Sequence, residues 1–134
     1  MTELFLLDTN IILDLLNDDP VFADSSQAWI DHWSQTKVPA INQIVYAELA
    51  PLYSQSSELD KDLCRFEKLS LTYEAAFLAS KAFLKYRKNG GVRTTVLPDF
   101  LIGAHAVHLN IPLMTRDQRR YLTYFPDIAL CPPL

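Results

Sequence analysis

The stretch Phe5-Leu6-Leu7-Asp8-Thr9-Asn10-Ile11-Ile12-Leu13-Asp14-Leu15-Leu16 decides how the rest of the chain is read. Residues 4–7 are short, apolar and free of turn formers, the pattern of a strand buried on both faces of a sheet. From Thr9 the period changes. Ile11, Ile12, Leu15 and Leu16 recur at helical spacing, with Thr9 or Asn10 as a suitable N-cap. Asp8 therefore falls at the C-terminal end of a strand, just ahead of a helix, and that edge of an open α/β sheet is where ligands bind. A carboxylate there, beside a hydroxyl and an amide, offers hard oxygen ligands to a divalent cation. Capping the helix is the other role open to Asp8.

The chain has 134 residues, 49% of them apolar and 21% charged, which predicts a single folded domain over residues 1–134 rather than a disordered chain. Cys64 and Cys131 stand far apart and in no metal-ligand spacing. They argue against a disulfide framework or a zinc site and read as two buried thiols in a reducing compartment. Asp8 and Asp14 interrupt the N-terminal apolar stretch and no basic segment precedes it, so it does not read as a signal peptide. No run approaches a membrane span. The expected location is the cytoplasm, with no membrane partner.

The net charge of −4 is unevenly divided. Residues 1–80 carry thirteen acidic and four basic side chains, whereas residues 81–134 carry three acidic and eight basic ones. A basic C-terminal part hints at a polyanionic ligand, although a solvated basic face would have the same composition.

Beyond the first helix, residues 17–20 form a turn and residues 21–34 a helix with Phe22, Trp29, Ile30 and Trp33 on one face. Residues 38–41, interrupted by Pro39, read as a strand near a sheet edge. Asn42 caps a helix over residues 43–49 that carries Glu48 among Ile44, Val45 and Leu49, and Pro51 marks its end. Ser57 and Asp60 resemble a capping box, which predicts a helix over residues 58–69. Thr72 opens another helix, to about Lys88, with Ala76, Phe77, Ser80, Phe83 and Leu84 as its buried stripe. Its tail of Lys81, Lys85, Arg87 and Lys88 suits a helix C-terminus, and Asn89-Gly90-Gly91 ends it. Residues 94–97 read as a short strand or extended arm.

Residues 99–109 then form a helix with Asp99 in its first turn. Gly103 lies on the same face, and close approach of another backbone would explain a glycine in mid-helix. After Asn110, residues 111–114 read as a strand that leads into Thr115-Arg116-Asp117, a repeat of the arrangement at Asp8. Residues 128–131 read as a last strand.

Asp8, Glu48, Asp99 and Asp117 each fall at a strand end, at a helix start or within an apolar helix. Without them the chain has twelve acidic and twelve basic residues, so the four equal the whole net charge. Drawn together they would repel and take up protons unless a cation lay among them. Oxygen ligands without a thiolate favour Mg²⁺ or Mn²⁺. Such an ion can acidify a bound water and stabilise a phosphoryl oxygen, and basic residues would hold the other phosphates of a polyanion.

At Leu7-Asp8-Thr9-Asn10, at Ile44-Val45-Tyr46-Ala47-Glu48-Leu49, at Asp99 with Ile102-Gly103-Ala104-His105-Ala106, and at Thr115-Arg116-Asp117, the chain resembles the PIN-domain family and its small VapC-like toxins of type II toxin-antitoxin systems. The resemblance covers nearly the full length. It implies a PIN-like three-layer α/β sandwich, with a central, mostly parallel sheet flanked by helices. It also implies a metal-dependent endoribonuclease, a homodimer, and inhibition by a cognate antitoxin protein. Asp8, Glu48, Asp99 and Asp117 would be catalytic and would bind Mg²⁺ or Mn²⁺, with Thr9, Asn10 and Thr115 orienting them. Tyr121 stands where many relatives have phenylalanine.

A phosphotransferase of the haloacid-dehalogenase type also places an Asp after its first strand, but it needs a second Asp where this chain has Asn10. A PIN-fold module that binds RNA or protein without catalysis is the alternative, and the presence of all four acids argues against it. His105 and His108 share a helix face, yet no third ligand is evident and His32 is remote. Trp29, Trp33, Phe77 and Phe83 lie on helix stripes and read as core or dimer interface. Arg116, Arg119 and Arg120 adjoin Asp117 and are the candidates for contact with RNA.

Overall fold

The computed structural model describes residues 3–93 and 96–134. Four strands form one sheet in the order β3-β2-β1-β4, with every pairing parallel. β1 (Leu4–Leu7) has Phe5, Leu6 and Leu7 fully buried, as expected where helices cover both faces of a parallel sheet. It pairs with β2 (Val38–Ile41) on one side and with β4 (Leu113–Met114) on the other. β3 (Glu67–Lys68) is the far edge. The chain moves outward from β1 through β2 to β3 and then returns to β4 on β1's other flank. That reversal opens a crevice beyond the C-terminal ends of β1 and β4.

β2 is therefore interior, not near an edge as its proline suggested. The Val38 N–H donates to the Glu3 carbonyl, so the next nitrogen, that of Pro39, turns to the opposite side. There β3 begins only opposite Ala40, and no ladder bond is forfeited.

Seven α-helices flank the sheet among the described residues. α1 (Thr9–Leu16) follows β1, with Asp8 itself as N-cap in place of Thr9 or Asn10. α2 (Ala23–Trp33) packs on α1, and its Trp29 Nε1 donates to the Pro132 carbonyl. Asn42 caps α3 (Gln43–Leu49) by accepting from the N–H groups of Ile44 and Val45, and Pro51 sits in a short 3₁₀ turn, Ala50–Leu52. α4 (Ser56–Asp62) stops well short of residue 69, and no side chain caps its start, so the Ser57–Asp60 box does not form.

α5 (Tyr73–Lys88), capped by Thr72, makes the most extensive helix contact in the fold with α6 (Leu97–Leu109). Its buried positions are Ala75, Ala79 and Ala82, with Leu78, Phe83 and Tyr86 alongside, while Phe77, Ser80 and Leu84 face outward. Three alanines let the two helices approach closely, and the larger apolar side chains are displaced to the flanks. Of the arm expected over residues 94–97, Thr94 and Thr95 lie outside the described residues. Val96 and Leu97 already form the turn and first residue of α6.

Asn110 ends α6 in the left-handed conformation, φ 55°. α7 (Gln118–Tyr124) follows β4, and beyond it only Leu130 makes a bridge, to Leu113, where a strand over 128–131 was expected. Cys131 is buried but Cys64 is exposed, against the expectation of two buried thiols. Among the described residues no helix is long and apolar enough to cross a membrane.

Candidate active site

Asp8 leaves the end of β1 and is 4% exposed. Its Oδ1 accepts from the Thr9 N–H at 2.8 Å, and its Oδ2 from Thr115 Oγ1 at 2.7 Å and Tyr121 Oη at 3.2 Å. Thr115, fully buried at the end of β4, also accepts the Asp117 N–H at 3.0 Å. One hydroxyl thus ties the two strand ends together across the crevice. Glu48 reaches in from α3, where its Oε1 accepts from Thr9 Oγ1 at 2.6 Å. The residue as a whole is exposed, yet its carboxyl end is desolvated at that contact. Asp99, in the first turn of α6, and Asp117, at the start of α7, share the guanidinium of Arg120: Nη1 is 2.5 Å from Asp99 Oδ2 and 3.3 Å from Asp117 Oδ2.

The charges of these acids act on one another. Burial pushes Asp8 up to about 6, and the Asp99 charge adds to that push. Asp99 is raised by burial and by Asp117, with Arg120 opposing. Glu48 is raised by burial first, with Asp99 adding and the Thr9 hydroxyl opposing. Tyr121 stays a protonated donor, because burial and the charges of Asp8, Asp99 and Asp117 hold its pKa well above the usual range. Four carboxylates from distant stretches therefore occupy one field at the C-terminal edge of the sheet.

The donor set fits a hard dication. Every candidate ligand is an oxygen, the acids are short of positive charge, and the buried Asn10 Oδ1 has no hydrogen-bond partner beside Asp8. As they stand, however, no three acidic, histidine or cysteine side chains among the described residues are spaced to share one ion. Thr9 holds Glu48, and Arg120 holds Asp99 and Asp117.

The three arginines divide. Arg120 lies among the acids. Arg116 donates Nε and Nη2 to the two oxygens of buried Asp14 at 3.0 and 2.9 Å, with its guanidinium 4.0 Å from the Phe22 ring centre. Arg119 is exposed and forms no ion pair among the described residues.

Asp14 is a structural centre that its sequence position alone did not single out. Asp14 also accepts from Ser26 Oγ at 2.8 Å, so it joins α1, α2 and the loop after β4. Its place three residues after Ile11, on the apolar face of α1, was the available signal. Tyr121 had the signal of lying one helical turn beyond Asp117. His105 is fully buried and pairs through Nδ1 with Asn42 Nδ2 at 3.0 Å. Asn42 Oδ1 is committed to capping α3, so Nδ2 is the donor and the His105 proton resides on Nε2. Burial lowers its pKa, and the ring is a neutral packing element. His108 is exposed, and Trp29 is buried, but Phe77 is exposed rather than core.

A model of the PIN domain family matches residues 5–126. No curated protein matches. Among solved structures, VapBC2 from Rickettsia felis, bound to a DNA fragment from its promoter, is similar with a TM-score of 0.73 and 25% identity, over 95% of this chain and 96% of that one. VapBC-1 from nontypeable Haemophilus influenzae gives 0.72 and 23%, over 95% and 96%. A toxin-antitoxin complex from Klebsiella pneumoniae gives 0.69 and 22%, over 96% and 98%. The last two speak for the fold alone. The family model spans all four acidic positions at the sheet edge, and the chain belongs to the PIN domain family.

Proposed function

We propose that this protein is a metal-dependent endoribonuclease that hydrolyses RNA phosphodiester bonds, and the toxin of a type II toxin-antitoxin pair. The observation that carries the reading is the continuous polar network joining the four acids: Thr9 links Asp8 to Glu48, Thr115 links Asp8 to the Asp117 backbone, and Arg120 links Asp117 to Asp99. These four are the proposed catalytic residues and metal ligands, for Mg²⁺ or Mn²⁺. A dication bound there would lower the pKa of a water molecule and stabilise developing charge on a phosphoryl oxygen.

The chain's own residues supply the positioning. Thr115 and Tyr121 orient Asp8 Oδ2, and Thr9 sets Asp8 Oδ1 through its N–H and Glu48 through its hydroxyl. Asn10 Nδ2 lies 3.4 Å from Asp8 Oδ2 and leaves its own carbonyl oxygen available. Arg119 would bind an RNA phosphate beside the site, with Arg116 and Arg120 flanking it, each at the cost of an existing ion pair.

The likeness to toxin-antitoxin complexes supports an antitoxin as partner. A homodimer belongs to the same reading, and the outward row on α5 supports it: Tyr73 is 91% exposed, Phe77 65% and Leu84 49%, an apolar surface that a second copy can cover. A cytoplasmic location and a single domain complete the proposal. The test is incubation of the purified protein with defined RNAs, with and without Mg²⁺ or Mn²⁺. Cleavage should require the metal, and Asp8→Asn should lower it by roughly a hundredfold or more with the circular dichroism unchanged. Equal cleavage by the variant would refute the proposal.

A further inference from the structure

Arg120 projects from α7 into the acid cluster with its side chain 30% exposed. Among the described residues no other side-chain cation pairs with any of the four acids. Asp8 and Glu48 are held by hydroxyl and amide donors, so the positive charge inside the cluster is concentrated on the Asp99–Asp117 side. A carboxylate oxygen in contact with a guanidinium offers those lone pairs poorly to a dication, because two cations on one oxygen repel. As they stand, no three acidic, histidine or cysteine side chains among the described residues are spaced to share an ion. The guanidinium has somewhere to go: it is partly exposed, on a long flexible stem, and its helix has only seven residues.

We propose that Arg120 is a displaceable internal counter-ion that competes with the divalent cation for Asp99 and Asp117. The proposal rests on the reading of the four acids as a metal site and concerns how that site is regulated. In the metal-free protein Arg120 offsets part of the carboxylate repulsion and keeps the crevice folded. It must leave both oxygens for a dication to enter, and metal affinity is set below what the four acids alone would give.

The experiment is calorimetric titration of Mn²⁺ into the metal-free full chain, as wild type, Arg120→Gln, Arg120→Lys and Arg119→Gln, without RNA and without an activity readout. Arg120→Gln should tighten the Kd about tenfold, equivalent to about 1.4 kcal/mol. Arg120→Lys should lie between it and wild type, since lysine keeps the charge but loses the planar fork. Arg119→Gln loses the same charge at an exposed position and should stay within about twofold of wild type. A wild type that binds Mn²⁺ with an Arg120→Gln variant binding no tighter overturns the competition alone. Equal tightening by Arg119→Gln also overturns it, since bulk charge would then be the cause. Absence of Mn²⁺ binding in every protein overturns the metal-site reading and the competition with it. Arg120→Lys keeps the comparison decisive should Arg120→Gln not fold.

Discussion

At the scale of single residues, Asp8 carries the strongest tension between folding and chemistry. In the folded protein its carboxyl titrates at about 6 against an ordinary value of 3.8, so the folded state holds the proton more tightly than the unfolded chain does. The stability tied to that proton is fully present below about pH 4 and is lost as pH rises through about 6, an effect of up to about 3 kcal/mol. In EDTA at pH 7.5, Asp8→Asn should therefore be more stable than wild type by about 1–3 kcal/mol in denaturant unfolding. The gain should vanish below pH 4. Destabilisation of the variant across the whole range would show that the carboxylate is not under strain. Stability surrendered for an ionised buried acid is the usual trade at a functional site.

The elements explain what the sequence disclosed and what it hid. β1, α1, α3 and α5 were legible because long apolar runs or clear caps marked them, as Asn42 and Thr72 do. β3 was hidden because it has two residues, both exposed and charged, and exists only through pairing with β2. The sequence pattern places the buried face of α5 about one position too far along, with Ala76, Ser80 and Phe83 in the stripe, whereas Ala75, Ala79 and Ala82 set the contact with α6. Gly103 was expected to admit another backbone, but the groups that approach it are side chains. A Cβ there would lie 2.8 Å from ring carbons of both Tyr121 and Phe125. Gly103→Ala gains about 1 kcal/mol of helix propensity but loses about 1–3 kcal/mol to overpacking. The variant should unfold at lower denaturant, and its displaced Tyr121 should weaken the bond to Asp8. Net stabilisation would mean that the rings yield freely.

For the whole molecule, the basic C-terminal part does not act as one surface. Arg116 is spent on buried Asp14, Arg120 lies among the acids, and Lys85, Arg87 and Lys88 gather at the end of α5. Charge counting could locate the excess but not its internal pairing. Arg119 remains as an exposed arginine without an ion pair among the described residues, in a groove it shares with Phe22, Trp29 and Thr115. Arg119→Ala should weaken binding of RNA fragments of different sequence alike, and should reduce the slope of log K against log salt by about 0.7, the value for one single-strand phosphate contact. An unchanged slope would place the RNA elsewhere. The four acids were legible singly as strand-end or helix-start carboxylates. Their convergence depends on the crossover that returns β4 to the flank of β1, and no local pattern encodes that.

If these carboxylates form one metal centre, anomalous diffraction from crystals soaked in Mn²⁺ should locate the ion among them. A peak bounded by Asp8, Glu48, Asp99 and Asp117, with oxygens at about 2.0–2.2 Å and Arg120 withdrawn from Asp99, is the predicted result. Crystals that take up Mn²⁺ elsewhere, or that leave this crevice without a peak at millimolar Mn²⁺, would contradict it.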